Sequence, residues 1–397
     1  MPRSKKLSVY ILLLLAVLLC AVSVYSIIDR VHAPREDTEP EIWYVSGSLW
    51  RGFPAAVSEF NASVGEEYGI TLRTKSFADD ASLYEAVAAA AETGETPDMV
   101  LCDTDLAAVM NELGMLSDMD KLPRRIGSRY FSQRLLSEAM LEEKLLLIPI
   151  ASSVDVFIVN TKLMPSFSGE LTFEQLCTES GKYYVNHSSP LFTISDYARF
   201  FKNASYQLGE SFDGVSPHDT DSKTSKYIYR QLAEAAYNRG YSSFTEEPAL
   251  LVAGGKLPCA IVSSEEVMQY ADRMDPDTIG LLDCPRMVGS EPVNTERVYG
   301  ISILGSDENS MRASAVFAGW FCSPGQNTDF VKSCGCMSAA GVMPEAAEDE
   351  RIYRELSALI GGFLADGTLC SAEPSAAYCE KSDSFNKMLT TIMDSLS

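Results

Sequence analysis

The chain has 397 residues, a formal net charge of −23, 46% hydrophobic residues and 10% aromatics. That length predicts two domains of about 150–200 residues, and so much apolar side chain excludes disorder over most of the chain. The acidic balance excludes nucleic acid and an anionic membrane face as partners, because both would repel it, while three scattered histidines (His32, His187, His218) exclude a histidine-based metal site.

An apolar run from Leu7 to Ile28 comes first, preceded by Arg3, Lys5 and Lys6 and free of charge until Asp29. An export signal has a core of about 7–15 apolar residues, and a bilayer needs about 20. The run therefore predicts an uncleaved membrane anchor, with the cationic flank inside and the rest of the chain extracytoplasmic. Two other fates share that topology: cleavage after Ser23, and lipidation of Cys20, which is disfavoured because leucines precede it. Residues 1–33 read as signal or anchor and 34–41 as a charged, proline-bearing spacer.

Beyond the spacer, short apolar runs alternate with helical periodicity, the pattern of α/β architecture. Ile42–Val45 predicts a strand ending in the turn Ser46-Gly47-Ser48, followed by a helix through Phe53, Val57 and Phe60. Ile70–Arg73 predicts a second strand, and Leu83, Val87 and Ala90 the next helix. Pro97-Asp98 leads into a strand over Met99–Cys102, and Asp103-Thr104-Asp105 caps a helix that stops at Gly114. Leu145–Ile150 and Val156–Asn160 predict two strands divided by Ala151–Asp155. Thr172 and Gln175 form a capping box. Residues 186–225 read as polar loops. A helix over 225–239 precedes strands at Pro258–Val262, Thr278–Leu282 and Val298–Leu304. A helix with the stripe Ala313, Val316, Phe317, Trp320 and Phe321 follows. Nine cysteines lie outside the apolar run. The odd count leaves at least one free, and the expectation is buried thiols with one or two disulfides.

Several of these stretches, in this order, resemble the extracellular solute-binding proteins of ABC importers, the family that includes maltose-binding and other sugar-binding receptors. The resemblance is carried by Glu41-Ile42-Trp43-Tyr44-Val45-Ser46-Gly47, by Gly94-Glu95-Thr96-Pro97-Asp98 followed by Leu113-Gly114-Met115-Leu116, and by Leu147-Ile148-Pro149 with Val159-Asn160-Thr161-Lys162. Later it continues in Gly255-Lys256-Leu257-Pro258, Val298-Tyr299-Gly300-Ile301 and Ala340-Gly341-Val342-Met343-Pro344. Where the family often carries Gly-x-Trp after the Pro258–Val262 strand, this chain has Ser263-Ser264-Glu265-Glu266.

The resemblance implies an α/β, two-lobed type II periplasmic-binding-protein fold with interlobe crossing strands. Lobe 1 would hold residues 42–153 and 300–345, and lobe 2 residues 154–299 and 346–397. It implies a receptor that closes on a small solute and delivers it to ABC permease subunits, with no catalysis and no cofactor. Ligands in such sheets bind beyond the carboxyl ends of strands. That rule selects Ser46, Ser48 and Trp50, then Asp103 and Asp105, then Ser152, Ser153 and Asp155, and finally Ser264, Glu265 and Tyr299. Two alternatives stand beside this reading. One is a ligand-sensing ectodomain coupled to a signalling protein. The other is an extracytoplasmic transferase holding a metal on Asp103 and Asp105, whose Asp-x-Asp spacing suits that chemistry.

Overall fold

A computed structural model describes residues 37–396, apart from 48, 165, 167–170, 211–221, 243–246, 292 and 306. The expected apolar anchor lies outside the described residues. Among them, no helix is long and apolar enough to cross a membrane.

The first lobe is built on strands β1 (Glu41–Val45), β2 (Arg73–Phe77) and β3 (Met99–Asp103), with β1 parallel to both neighbours. Strand β3 is buried throughout, as its run Met-Val-Leu-Cys-Asp requires in a sheet covered on both faces. Strand β2 lies at the edge, and its exposed Arg73 and Lys75 guard that edge against pairing with another chain. The expected strand at Ile70–Arg73 is displaced. Ile70 makes only an isolated bridge to Thr38, and pairing with β1 runs from Arg73 onward. Ile70 and Leu72 are spent on burial in the core instead.

A short hairpin, β4 (Met140–Leu141) and β5 (Lys144–Leu145), leads into β6 (Ile148–Asn160), a 13-residue strand buried along its whole length. The sequence predicted two strands here. One continuous strand forms because Ser152 and Ser153 pair with β10 and Asp155 with β8, so these polar positions lie in the sheet and not in a turn. In the second lobe β6 runs antiparallel to β8 (Cys259–Ser263), which is parallel to β7 (Phe192–Ile194), and also pairs with β9 (Ile279–Leu282). Strand β10 (Asn294–Ile303) returns antiparallel to β6, with a register shift between Tyr299 and Gly300. A Cβ at Gly300 would collide with the Ile148 carbonyl, so the crossing needs glycine there. Two short strands, β11 (Met337–Ser338) against β6 and β12 (Leu369–Ser371) against β10, complete a mixed sheet.

Residues 186–225, expected to be loops, hold β7 and a helix over Tyr197–Gln207. Asp196 caps that helix by accepting from the Arg199 N–H, and Tyr197, Phe200, Phe201 and Ala204 form its buried stripe. Polar residues between those positions disguised it.

One hydrophobic core lies under the first lobe, where Phe53, Phe60, Phe317 and Phe321 pack edge to face and stacked. Two more fill the second lobe, one around Phe173, Phe192 and Tyr241 and one around Val156, Ile158 and Leu356. All nine cysteines outside the apolar run are free thiols, seven of them buried. The expected disulfides are absent because these residues behave as small core hydrophobes.

Candidate functional site

The cleft between the lobes encloses a cavity of about 220 Å³, where the carboxyl end of β1 meets the crossing strands β6 and β10 and the end of β8. Its walls come from six places. The loop after β1 supplies Leu49 and Trp50, and helix α1 (Asp80–Thr93) opens on Asp80. Strand β6 supplies Asp155. Helix α2 (Tyr197–Gln207) and its cap supply Arg199 and Asp196, and Arg297 and Tyr299 come from β10. Glu265 lies in the first turn of α3 (Ser264–Gln269).

Burying the apolar stripe of α2 turns Arg199 and Lys202 toward the crossing strands. The Arg199 Nε lies 2.7 Å from Asp155 Oδ1, its Nη2 donates to the Ser153 hydroxyl at 3.0 Å, and its Nη1 stands 3.8 Å from Glu265 Oε1. Tyr299 donates its hydroxyl to the same Glu265 oxygen at 2.8 Å. Two acids thus share one guanidinium. Burial pushes the Asp155 carboxyl up to about 7 despite Arg199. Burial also raises Glu265, but Arg199, its own N–H, Ser263 and Tyr299 outweigh it and hold that carboxyl below its ordinary value.

A second group stands behind the cavity. Asp103 caps its helix, accepting from the Leu106 N–H at 2.8 Å, and receives the Arg297 guanidinium, whose Nε donates at 2.6 Å. Arg297 also reaches Asp80 at 3.3 Å. Burial raises the Asp103 carboxyl, yet Arg297 and the Leu106 N–H together hold it below its ordinary value. Asp105, from the first lobe, meets Lys202 of the second at 3.0 Å and accepts from the Ser375 N–H at 2.8 Å. The Lys202 ammonium also lies 4.2 Å from the centre of the Tyr378 ring.

The structure therefore brings Trp50, Asp155, Glu265 and Tyr299 to the cavity wall. Trp50 is only 4% exposed, stacked on Phe330 at 5.6 Å and edge-on to Tyr299, so its ring is a fixed wall and not a free platform. Ser153, Asp103 and Asp105 lie one layer back, as partners of Arg199, Arg297 and Lys202. Ser46 is exposed and donates to the Phe77 carbonyl, outside the cavity. Ser152 and Ser264 are fully buried and do not line it. Ser48 lies outside the described residues.

Each carboxylate of the Asp-x-Asp pair is engaged by a cation, which removes the donor set a metal-dependent transferase would need. No cluster of three or more metal-ligating side chains occurs among the described residues. The reading from strand ends missed Arg199, Lys202, Arg297 and Asp80. The i, i+3 spacing of Arg199 and Lys202 beside the aromatic stripe was the available signal for two of them.

Solved structures share this architecture. The cyclic α-maltosyl-1,6-maltose binding protein from Arthrobacter globiformis superposes with a TM-score of 0.67 at 14% identity, covering 91% of this chain and 95% of that one. Maltose-bound T. maritima MalE3 gives 0.70 at 13%, covering 91% and 96%. A ribitol complex of an ABC transporter solute-binding protein from Agrobacterium radiobacter K84 gives 0.69 at 15%, covering 92% and 96%. A comparison with curated protein sequences gives no match. Residues 55–354 match the family described as bacterial extracellular solute-binding protein, and with its two lobes, crossing strands and interlobe cavity the chain belongs to that family of extracytoplasmic receptors.

Proposed function

We propose that this receptor captures a small carbohydrate or polyol between its lobes and hands it to the membrane subunits of an ABC permease. The observation that carries the reading is the cavity itself. It is small, enclosed by both lobes, walled by Trp50 and Tyr299, and ringed by charged groups already held in place by ion pairs. Preformed polar groups against an aromatic wall suit a ligand that presents many hydroxyls and an apolar ring face. The solved structures of like fold include maltose and ribitol complexes, which supports the same class. Lobe 1 is taken as residues 42–153 and 300–345, and lobe 2 as 154–299 and 346–397. Closure turns about the crossings near Ala151–Asp155 and Arg297–Gly300. Trp50, Asp155, Glu265 and Tyr299 are taken as ligand contacts, with Ser153, Asp103 and Asp105 fixing the cations behind them. The apolar run Leu7–Ile28 is taken as the tether that keeps the receptor beside its permease.

Thermal shift and calorimetry on the full-length chain in mild detergent test this. Sugars and polyols should raise the melting temperature without being consumed. Stabilisation by amino acids or oligopeptides alone would sink the carbohydrate reading.

A further inference from the structure

Two hydroxyls in the cavity wall have already given away their hydrogens, and the groups that receive them are neighbours in sequence. Tyr299, on β10, donates to Glu265 Oε1 at 2.8 Å, and Ser195, at the carboxyl end of β7, donates to Glu266 Oε2 at 2.6 Å. Both Tyr299 and Ser195 line the cavity, and Ser195 is an exposed residue. Glu265 and Glu266 belong to the stretch Ser263-Ser264-Glu265-Glu266, which stands where the family often carries Gly-x-Trp.

Each arrangement is fixed from behind. Glu265 is buried, and although burial opposes its charge, Arg199 foremost among its neighbours keeps the carboxyl ionised. Glu266 is buried as well, and the Ala249 N–H holds its Oε1 at 2.8 Å, which leaves Oε2 to Ser195. The backbone of Ser195 is pinned in turn, its N–H donating to the Ile261 carbonyl of β8 at 2.9 Å. The Tyr299 phenol keeps its hydrogen, since burial raises it well above its ordinary value. A hydroxyl has a single hydrogen to donate. Once that hydrogen goes to a buried carboxylate, in a charge-assisted bond stronger than a neutral one, only lone pairs remain for a solute.

Resting on the carbohydrate reading of the cleft, we infer that Glu265 and Glu266 are positioning residues that fix the Tyr299 and Ser195 hydroxyls as acceptors, so that the solute must donate a hydrogen to each. The class this selects is a polyhydroxy solute with two free hydroxyls toward this wall. An ether, carbonyl or carboxylate oxygen in either place sets lone pair against lone pair.

Calorimetry on the full-length chain in detergent decides the point at about pH 8.5, above the value of about 7 to which burial raises Glu266. D-Glucose, D-galactose, D-mannose and ribitol are screened, and the tightest binder is compared with its monodeoxy and monofluoro analogues. Fluorine accepts weakly and cannot donate. At one hydroxyl both analogues should bind about tenfold more weakly than the parent, and that difference should vanish in Ser195→Ala. A second hydroxyl should behave likewise toward Tyr299→Phe. Glu266→Gln gives the readout that a merely structural role would not move. Its amide oxygen keeps the Ala249 N–H and its NH2 donates to Ser195, which frees the serine hydrogen for the cavity. The fluoro analogue should then bind several-fold more tightly than the deoxy one. If that variant fails to fold, the wild-type series with Ser195→Ala and Tyr299→Phe still decides. Three results would overturn this inference and leave the carbohydrate reading standing: fluoro analogues that match the parent, losses that persist in Ser195→Ala and Tyr299→Phe, or no fluoro advantage in folded Glu266→Gln. Failure of all four parents to bind would overturn both.

Discussion

At the residue scale, the two acids that follow Ser264 do different work although they are neighbours. Glu265 faces the cavity and stays ionised beside Arg199, whereas Glu266 turns inward, accepting from the Ala249 N–H at 2.8 Å and the Ser195 hydroxyl at 2.6 Å. Burial pushes the Glu266 carboxyl up to about 7 from an ordinary 4.5. Between those values the folded protein keeps a proton that the unfolded chain has released. This group therefore favours the fold fully below about pH 4.5, and its contribution is lost as pH rises to about 7. In Glu266→Gln, which preserves the acceptor for Ala249, the unfolding free energy from urea titration should fall less between pH 5 and 8 than in the wild type, by on the order of 3 kcal/mol at most. Equal slopes in the two proteins would show that Glu266 is already ionised. The sequence pattern Pro97-Asp98 has an equally local cause. The Asp98 carboxylate accepts from the Glu41 N–H at 2.8 Å and from the Ser310 hydroxyl, joining the starts of β1, β3 and the helix Glu308–Phe321. A motif met first as a family trait is here a three-way staple.

At the element scale, legibility followed how strongly each segment's pattern matched its period. Strand β3, the Thr172–Gln175 capping box and the aromatic stripe of Glu308–Phe321 were readable because burial on one face or both wrote the pattern directly. Helix α2 was not. Tertiary contacts bury Arg199, Lys202 and Asn203 on it along with the aromatics, so nearly the whole helix is inside and its polarity suggested a loop. Arg199 and Lys202 were missed for that reason, and Arg297, on β10, because its partner Asp103 sits far away in sequence. The β4–β5 hairpin shows a different strain. Its turn residues Glu142 and Glu143 both take positive φ, 49° and 67°, a conformation that suits Asn-Gly far better. Replacing Glu142-Glu143 with Asn-Gly should stabilise the protein by about 1 kcal/mol or more, read as a higher urea midpoint with unchanged m-value. No gain would indicate that these glutamates are compensated elsewhere in the fold.

At the scale of the whole molecule, ion pairs span the cleft, and under the proposed closure they would hold the lobes together. Asp105 on the first lobe and Lys202 on the second form one such latch, both nearly buried. Asp105→Asn keeps the hydrogen bond from Ser375 but leaves Lys202 without its carboxylate, at a cost of about 3 kcal/mol to the closed arrangement. Small-angle scattering of the ligand-free variant should give a larger radius of gyration than the wild type. An unchanged radius would mean that the lobes are held by their apolar contacts alone.

The nine thiols bring a consequence for the chain's life before it folds. In the native protein the seven buried ones are shielded, and burial raises their pKa, so little thiolate is available; Cys322, for one, is pushed up to about 12. An extracytoplasmic compartment is oxidising, and every one of those thiols is exposed while the polypeptide emerges. Folding must therefore outrun oxidation, and a chain that unfolds there has a second, irreversible exit through mispaired cysteines. Heating and cooling should restore the native protein when a reductant is present and yield crosslinked species when it is absent, visible on non-reducing gels. Equal recovery in both conditions would show that the thiols stay inert even in the unfolded chain.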